Sequence, residues 1–117
     1  MNKKILENIY HNILELSDKK KQQELWLGRS QGYVSSYLEV MSRLFDDNDF
    51  DLFLDKEYPS SGLSYALRGE LFILRDLLNA YQNSNTDQEI LNDSKWDKII
   101  TQAQKVITSW DAEKDNI

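Results

Sequence analysis

The feature that most constrains the fold is a leucine stripe of helical period in the middle of the chain. Apolar residues recur every three or four positions at Leu63, Leu67, Leu71, Leu74, Leu78 and Tyr81. A repeat of about 3.6 residues places these side chains on one face of a helix, whereas a strand would alternate every second residue. Such a face must be buried against other helices, so the sequence predicts an all-α protein.

Three further segments carry the same period and are separated by residues that favour helix boundaries. Their apolar positions are Ile5, Leu6, Ile9, Ile13 and Leu16; Val34, Tyr37, Leu38, Met41, Leu44 and Phe45; and Trp96, Ile99, Ile100, Ala103, Val106, Ile107 and Trp110. Ser17-Asp18 either caps a second helix or lies within a first helix that continues through KKKQQELWL, residues 19–27, with Gly28 as a stop. The other expected helix starts are the position after Ser30, Pro59 to Ser61, Thr86 and Ser94. The sequence predicts an antiparallel bundle of four to five helices, folded as one domain over residues 1–117 with a frayed tail over 110–117.

Two features depart from this helical pattern. The stretch DFDLFLD, residues 49–55, alternates like a strand. It is short and isolated, so we expect a turn or loop that anchors two aromatic rings. Gly69 lies inside the leucine stripe, where glycine costs about 1 kcal/mol relative to alanine. We expect a neighbouring helix to approach closely at this glycine.

The net charge and the lack of cysteine exclude several classes of protein. Twenty acidic and fourteen basic residues give a net charge of −6. This charge disfavours a nucleic-acid partner, because phosphate binding draws on lysine and arginine. Without cysteine there can be no disulfide and no thiolate metal site. No apolar run is long enough to cross a membrane, and polar residues interrupt the signal-like N-terminus, so we expect a cytoplasmic location.

Negative charge is concentrated in residues 46–57, DDNDFDLFLDKE, which we call the acidic segment. It contains six acids and one lysine, a net charge of −5. Solubility requires only dispersed charge, so this concentration favours a surface that attracts a basic protein over a merely solvated loop. The predicted partner-binding residues are Asp46, Asp47, Asp49, Phe50, Asp51, Asp55, Glu57 and Tyr58.

The aromatic residues of this region allow two interpretations. Their rings can hold the acidic segment onto the helices, or they can project as anchors for a partner, since binding hot spots favour aromatic residues. Phe53 is expected to pack inward, whereas both possibilities stay open for Phe50 and Tyr58. The three tryptophans fall on apolar stripes and are expected in the core.

Metal binding and catalysis find little support in the residue spacing. An EF-hand loop counted from Asp47 needs glycine at its sixth position and glutamate at its twelfth, where this chain has Leu52 and Tyr58. The single histidine, His11, lies off the apolar stripe of its helix and has no cysteine with which to share a zinc ion. No glycine-rich nucleotide motif is present. The sequence therefore predicts no catalytic, metal-binding or cofactor-binding residues.

Two stretches combine helical period with an acidic and aromatic character. They are ELWLGRSQGYVSSYLEVMSRLFDDNDFD, residues 24–51, and SYALRGELFILRDLL, residues 64–78. In this respect the chain resembles the immunity proteins of bacterial toxin systems, such as those of contact-dependent growth inhibition and the helical inhibitors of tRNase colicins. The resemblance implies a protein without catalysis that binds a toxin domain, often a nuclease, and blocks its active site. The alternative is a helical adaptor or regulatory protein that binds a partner helix, with no toxin involved.

Overall fold

The computed structural model describes residues 2–28, 35–81 and 86–115, and all secondary structure within these ranges is helical. Its seven α-helices are α1 Lys3–Leu16, α2 Lys19–Trp26, α3 Tyr37–Met41, α4 Phe50–Leu52, α5 Tyr65–Ala80, α6 Asp87–Leu91 and α7 Ser94–Asp115. Two π-helical segments, Ser42–Asp47 and Phe53–Glu57, and a 3₁₀ turn, Tyr58–Ser61, lie between α3 and α5. The predicted all-α class is confirmed, but the described chain divides into more helices than the four or five expected.

The longest helix, α7, packs against both α1 and α5. The Tyr10 hydroxyl in α1 donates to Asp111 near the end of α7, and the Gln104 amide donates to the carbonyl of Ser17, just after α1. Later residues of α1 therefore contact earlier residues of α7. At the other side of α7, the Glu113 carboxylate accepts from the backbone N–H of Ser64, which precedes α5. Both α1 and α5 thus run antiparallel to α7.

The core is built from the apolar stripes that the sequence predicted. On α5 the buried leucines are Leu67, Leu71, Leu74 and Leu78. The three tryptophans are also buried, as expected, and the rings of Trp26 and Trp96 lie 5.7 Å apart. None of the described helices has both the length and the apolar content needed to cross a membrane.

Several helix starts follow side-chain caps that the sequence predicted. The Asp18 carboxylate caps α2 by accepting from the backbone N–H of Lys21 at 3.0 Å. Thr86 and Glu89 form a reciprocal capping box at the start of α6. These caps satisfy backbone donors that a first helical turn leaves without partners, which explains why the chain divides at these points. The start expected after Ser30 lies outside the described residues.

One predicted start and one predicted cap are displaced. The helix expected from Pro59 to Ser61 is only a 3₁₀ turn, which ends at Gly62 with φ of 81°. The left-handed backbone at this glycine breaks the helical direction, so α5 begins after a new cap at Ser64. α7 begins at Ser94, but its side-chain cap is Asp93, which accepts from the backbone of the first turn at 2.9 Å.

The expected fraying over 110–117 is wrong for residues 110–115, which continue α7. Trp110 is buried, the Asp111 carboxylate accepts from Tyr10 at 2.7 Å, and the Lys114 ammonium lies 3.6 Å from the centre of the Tyr10 ring. These contacts hold the last turns of the helix against α1 and outweigh the charged composition that suggested fraying. Residues 116 and 117 lie outside the described ranges.

The Tyr10–Asp111 contact predicts a high-pH transition. The hydrogen bond to Asp111, with burial and the negative charge of Asp111 adding to it, raises the pKa of Tyr10 to about 12. A raised pKa in the folded state means that this contact stabilises the fold fully below about pH 10 and is lost as the pH rises through 12. We expect Tyr10→Phe to remove one tyrosine ionisation step near pH 12, measured by ultraviolet absorbance. A variant curve that differs from wild type only near pH 10 contradicts the contact.

Gly69→Ala is expected to raise the free energy of unfolding by about 1 kcal/mol, measured by urea denaturation. The expected close approach at Gly69 is not found: the residue is exposed in α5, and a Cβ added there meets no atom within 4 Å. The control is Gly62→Ala, also unobstructed but at φ of 81°, which should cost about 1–2 kcal/mol. Equal effects of the two substitutions would contradict the backbone geometry.

Candidate functional site

The acidic segment is helical except at Asn48 and Asp49, which corrects the turn or loop predicted for residues 49–55. Its backbone passes from the end of the first π-helical segment through α4 into the second. Asp49, just before α4, adopts a left-handed conformation with φ of 46°. Its side chain accepts from the backbone N–H of Leu52 at 3.4 Å. The apolar residues Phe50, Phe53 and Leu54 follow the i, i+3, i+4 spacing, so a helical backbone turns all three toward the core.

The rings of Phe50, Phe53 and Tyr58 pack into the core and are not exposed for contact with a partner. Phe50, Phe53 and Tyr58 are at most 1% exposed. The Phe50 ring packs edge-on against Phe45 at 5.6 Å, and the Tyr58 hydroxyl donates to the carbonyl of Ser64 at 2.6 Å. Burial raises the pKa of Tyr58. The prediction for Phe53 is confirmed, whereas Phe50 and Tyr58, which were among the predicted partner-binding residues, are withdrawn from the contact surface because the fold buries their rings.

The six carboxylates of the acidic segment remain on the outside of the molecule. Those of Asp46, Asp47, Asp49, Asp51 and Asp55 are exposed, and Glu57 is half-buried. The guanidinium of Arg75, on α5, contacts Asp55 at 2.9 Å and Asp51 at 3.4 Å. Within the described part of the chain, no ion pair involves the other four carboxylates. The acidic segment therefore keeps most of its negative charge uncompensated.

Two arginines of α5 fasten the acidic segment to this helix. The Arg68 guanidinium donates to the carbonyl of Leu54 at 2.6 Å, and Arg75 binds the two aspartates. Both guanidinium groups lie over the ring of Phe72, at 5.3 Å for Arg68 and 4.8 Å for Arg75. Arg75 thus pairs with carboxylates, whereas Arg68 binds a backbone carbonyl. Contacts with α5 thus hold the carboxylates of Asp51 and Asp55 in place.

Apolar side chains that sequence reasoning missed are exposed on α4 and α5. Tyr65 is 76% exposed, Ile73 49% and Leu52 39%, and Phe72 is half-buried. Tyr65, Phe72 and Ile73 lie opposite the leucine stripe, and we call them the outer face of α5. The only sequence signal for this face was that these residues are apolar but out of register with the stripe. Exposed apolar side chains on one face of a helix are a common feature of protein-binding surfaces.

The same region has no arrangement suited to metal binding. Among residues 2–28, 35–81 and 86–115, no three histidine or acidic side chains are placed to hold one ion. His11 is exposed on α1, with its ring packed edge-on against Tyr10.

Comparison with known proteins finds no matching family model, no curated protein of significant sequence similarity and no solved structure of significant similarity.

Proposed function

We propose that this chain is a non-catalytic immunity protein that binds and neutralises a basic toxin domain, a nuclease, in the cytoplasm. The observation that carries the proposal is a net charge of −5 on twelve residues whose backbone is fixed to the core by buried rings. A nuclease needs a positively charged cleft to bind phosphates. A rigid acidic surface is complementary to such a cleft and needs no catalytic group of its own.

The two parts of the surface have different roles in this proposal. The uncompensated carboxylates attract a basic partner over a distance, which raises the rate of encounter. The outer face of α5, together with Leu52, excludes water once the partner has docked. Since Arg75 already holds Asp51 and Asp55, these two side chains lose little conformational entropy on binding.

The alternative function, a helical adaptor without a toxin, is favoured by one observation. The outer face of α5 exposes Tyr65 and Ile73 on an otherwise regular helix. An amphipathic partner helix binds to such a face through apolar contacts spaced at one helical turn. Binding of this kind depends weakly on salt, whereas binding through the acidic segment depends on it strongly.

One variant changes four aspartates to asparagine: Asp46, Asp47, Asp49 and Asp51. At low salt, we expect it to associate roughly 10- to 100-fold more slowly with a toxin domain that is encoded immediately upstream. The substitutions remove four negative charges that attract a basic partner. The fold is kept, because asparagine also caps helices and tolerates a left-handed backbone. Stopped-flow fluorescence at two ionic strengths measures the rate. Inhibition of the toxin's nuclease activity is measured in the same samples, and circular dichroism checks the fold.

A matched control makes the same change of charge on other helices: Glu7→Gln, Glu24→Gln, Glu89→Gln and Asp97→Asn. Glutamine at position 89 retains the capping box. This control should slow association by less than about threefold, because its charges lie outside the contact. Equal slowing by both sets would assign the effect to net charge alone. Failure to bind any basic toxin domain contradicts the immunity function, and salt-independent binding to a helix would favour the adaptor.

A further inference from the structure

A polar cavity of about 380 Å³ lies between α1 and the first π-helical segment. It is lined by Asn8, His11, Asn12, Arg43, Asp47 and Asn48. Its volume falls within the range of small-ligand sites, roughly 300–1,000 Å³. The lining is rich in amides and contains one cation and one carboxylate. This composition suits a ligand that donates several hydrogen bonds.

The side chain of Asn12 lines this cavity. Asn12 is 6% exposed, so its side chain is more than nine-tenths buried. Across the described ranges no hydrogen bond involves this amide, and no fully buried polar atom lacks a partner. The amide atoms of Asn12 therefore reach solvent through the cavity that they line. A buried amide without a protein partner costs stability unless water or a ligand satisfies it.

The charges around the cavity favour a cation over an anion. The Arg43 guanidinium is already engaged, because it donates to the Glu15 carboxylate at 3.3 Å and to the Ser35 hydroxyl at 2.8 Å. The Asp47 carboxylate is exposed and makes no ion pair within the described residues. Asn48 donates its amide N–H to the carbonyl of Arg43 at 2.6 Å, which leaves its amide oxygen as an acceptor. Within the described residues, the groups left for a ligand are thus the Asp47 carboxylate, the whole amides of Asn8 and Asn12 and the amide oxygen of Asn48, and the carboxylate gives this set a negative charge.

We propose that this cavity binds the guanidinium group of an arginine side chain carried by the partner protein. A guanidinium is planar and has five N–H donors, which match the Asp47 carboxylate and the amide oxygens of Asn8, Asn12 and Asn48. The exposed imidazole of His11 provides a ring on which the guanidinium plane can stack. The inference rests on the proposed function for the source of the arginine, but its chemistry is tested without the toxin.

The test titrates the whole protein with acetyl-arginine-amide and follows the side-chain amide signals of Asn8, Asn12 and Asn48 by nuclear magnetic resonance. We expect saturable shifts with a Kd on the order of 1 mM. Acetyl-citrulline-amide, which has the same shape without the charge, should bind about tenfold more weakly. Inorganic phosphate should give no saturable shift. Saturation by phosphate, or equal binding of citrulline and arginine compounds, would overturn the proposal.

Asp47→Asn and Asp46→Asn provide a matched pair of variants. Both residues are exposed carboxylates at the end of the same π-helical segment, but only Asp47 lines the cavity. Asp47→Asn should weaken binding of the arginine compound by roughly tenfold and Asp46→Asn should leave it unchanged. Equal effects of the two variants would overturn the site. Because toxin inhibition is measured in a separate assay, a cavity that does not bind arginine can be distinguished from a protein that does not bind a toxin.

Discussion

Replacing Phe50 with alanine is expected to lower the free energy of unfolding by about 3–5 kcal/mol. The Phe50 ring has no exposed surface and packs against Phe45 and Phe53, so truncation leaves a cavity bounded by rings that cannot close it completely. A loss of this size is a large share of the 5–15 kcal/mol that stabilises an ordinary domain. Urea unfolding followed by circular dichroism and tryptophan fluorescence measures it, with the urea dependence expected to stay unchanged.

Leu52→Ala is the matched control, because Leu52 lies two residues further along the same helical stretch and is 39% exposed. It should cost less than about 1 kcal/mol, since much of its surface is already in water. If both substitutions cost the same, the Phe50 ring is not in the core, and its role as a partner contact is restored. The pair thus tests the correction that removes Phe50 from the predicted interface.

The helical class could be predicted from the sequence because the buried apolar residues of this chain recur with the period of an α-helix. The stripe that begins at Leu63 predicted the buried face of α5, where the four central leucines are all enclosed. For the residues on the opposite face, such as Ile73, the only signal was a position out of register with the stripe, and an apolar residue in a sequence does not show whether another helix covers it. Exposure is decided by the arrangement of neighbouring helices.

The structure of the acidic segment could not be decided from its own residues. DFDLFLD fits a period of two, and its apolar positions 50, 53 and 54 also fit a helix. Contacts that are distant in sequence select the helix: Arg68 binds the carbonyl of Leu54, and Arg75 binds Asp51 and Asp55. The charge of the segment was correctly read as external, because carboxylates stay in water whichever backbone carries them.

A second large effect is expected at Gln22, a residue that the polar stretch KKKQQ gave no reason to place in the core. Gln22 has no exposed surface. Its amide N–H groups donate to the carbonyls of Glu15 and Leu16 at the end of α1, and its amide oxygen accepts from the Trp96 indole at 2.9 Å. One side chain therefore satisfies helix-end carbonyls of α1 and joins α1 and α2 to α7.

Gln22→Leu is expected to lower the free energy of unfolding by about 3–4 kcal/mol. Leucine has a similar size, so the loss comes from polar groups left without partners and not from a cavity. Urea denaturation measures the loss. Gln104→Leu is the control: Gln104 is exposed and makes one hydrogen bond, to the carbonyl of Ser17, so its replacement should cost less than about 1 kcal/mol.

A double-mutant cycle separates the indole hydrogen bond from the rest of the Gln22 contacts. Trp96→Phe removes the donor, so Gln22→Leu in that background no longer strands an indole N–H. The double variant should therefore be more stable than the sum of the single losses predicts, by about 1–2 kcal/mol. Simple additivity would show that the indole and the amide are not coupled. Coupling at this size means that a buried glutamine fixes how α2 docks on α7, because apolar packing alone would not specify that single arrangement.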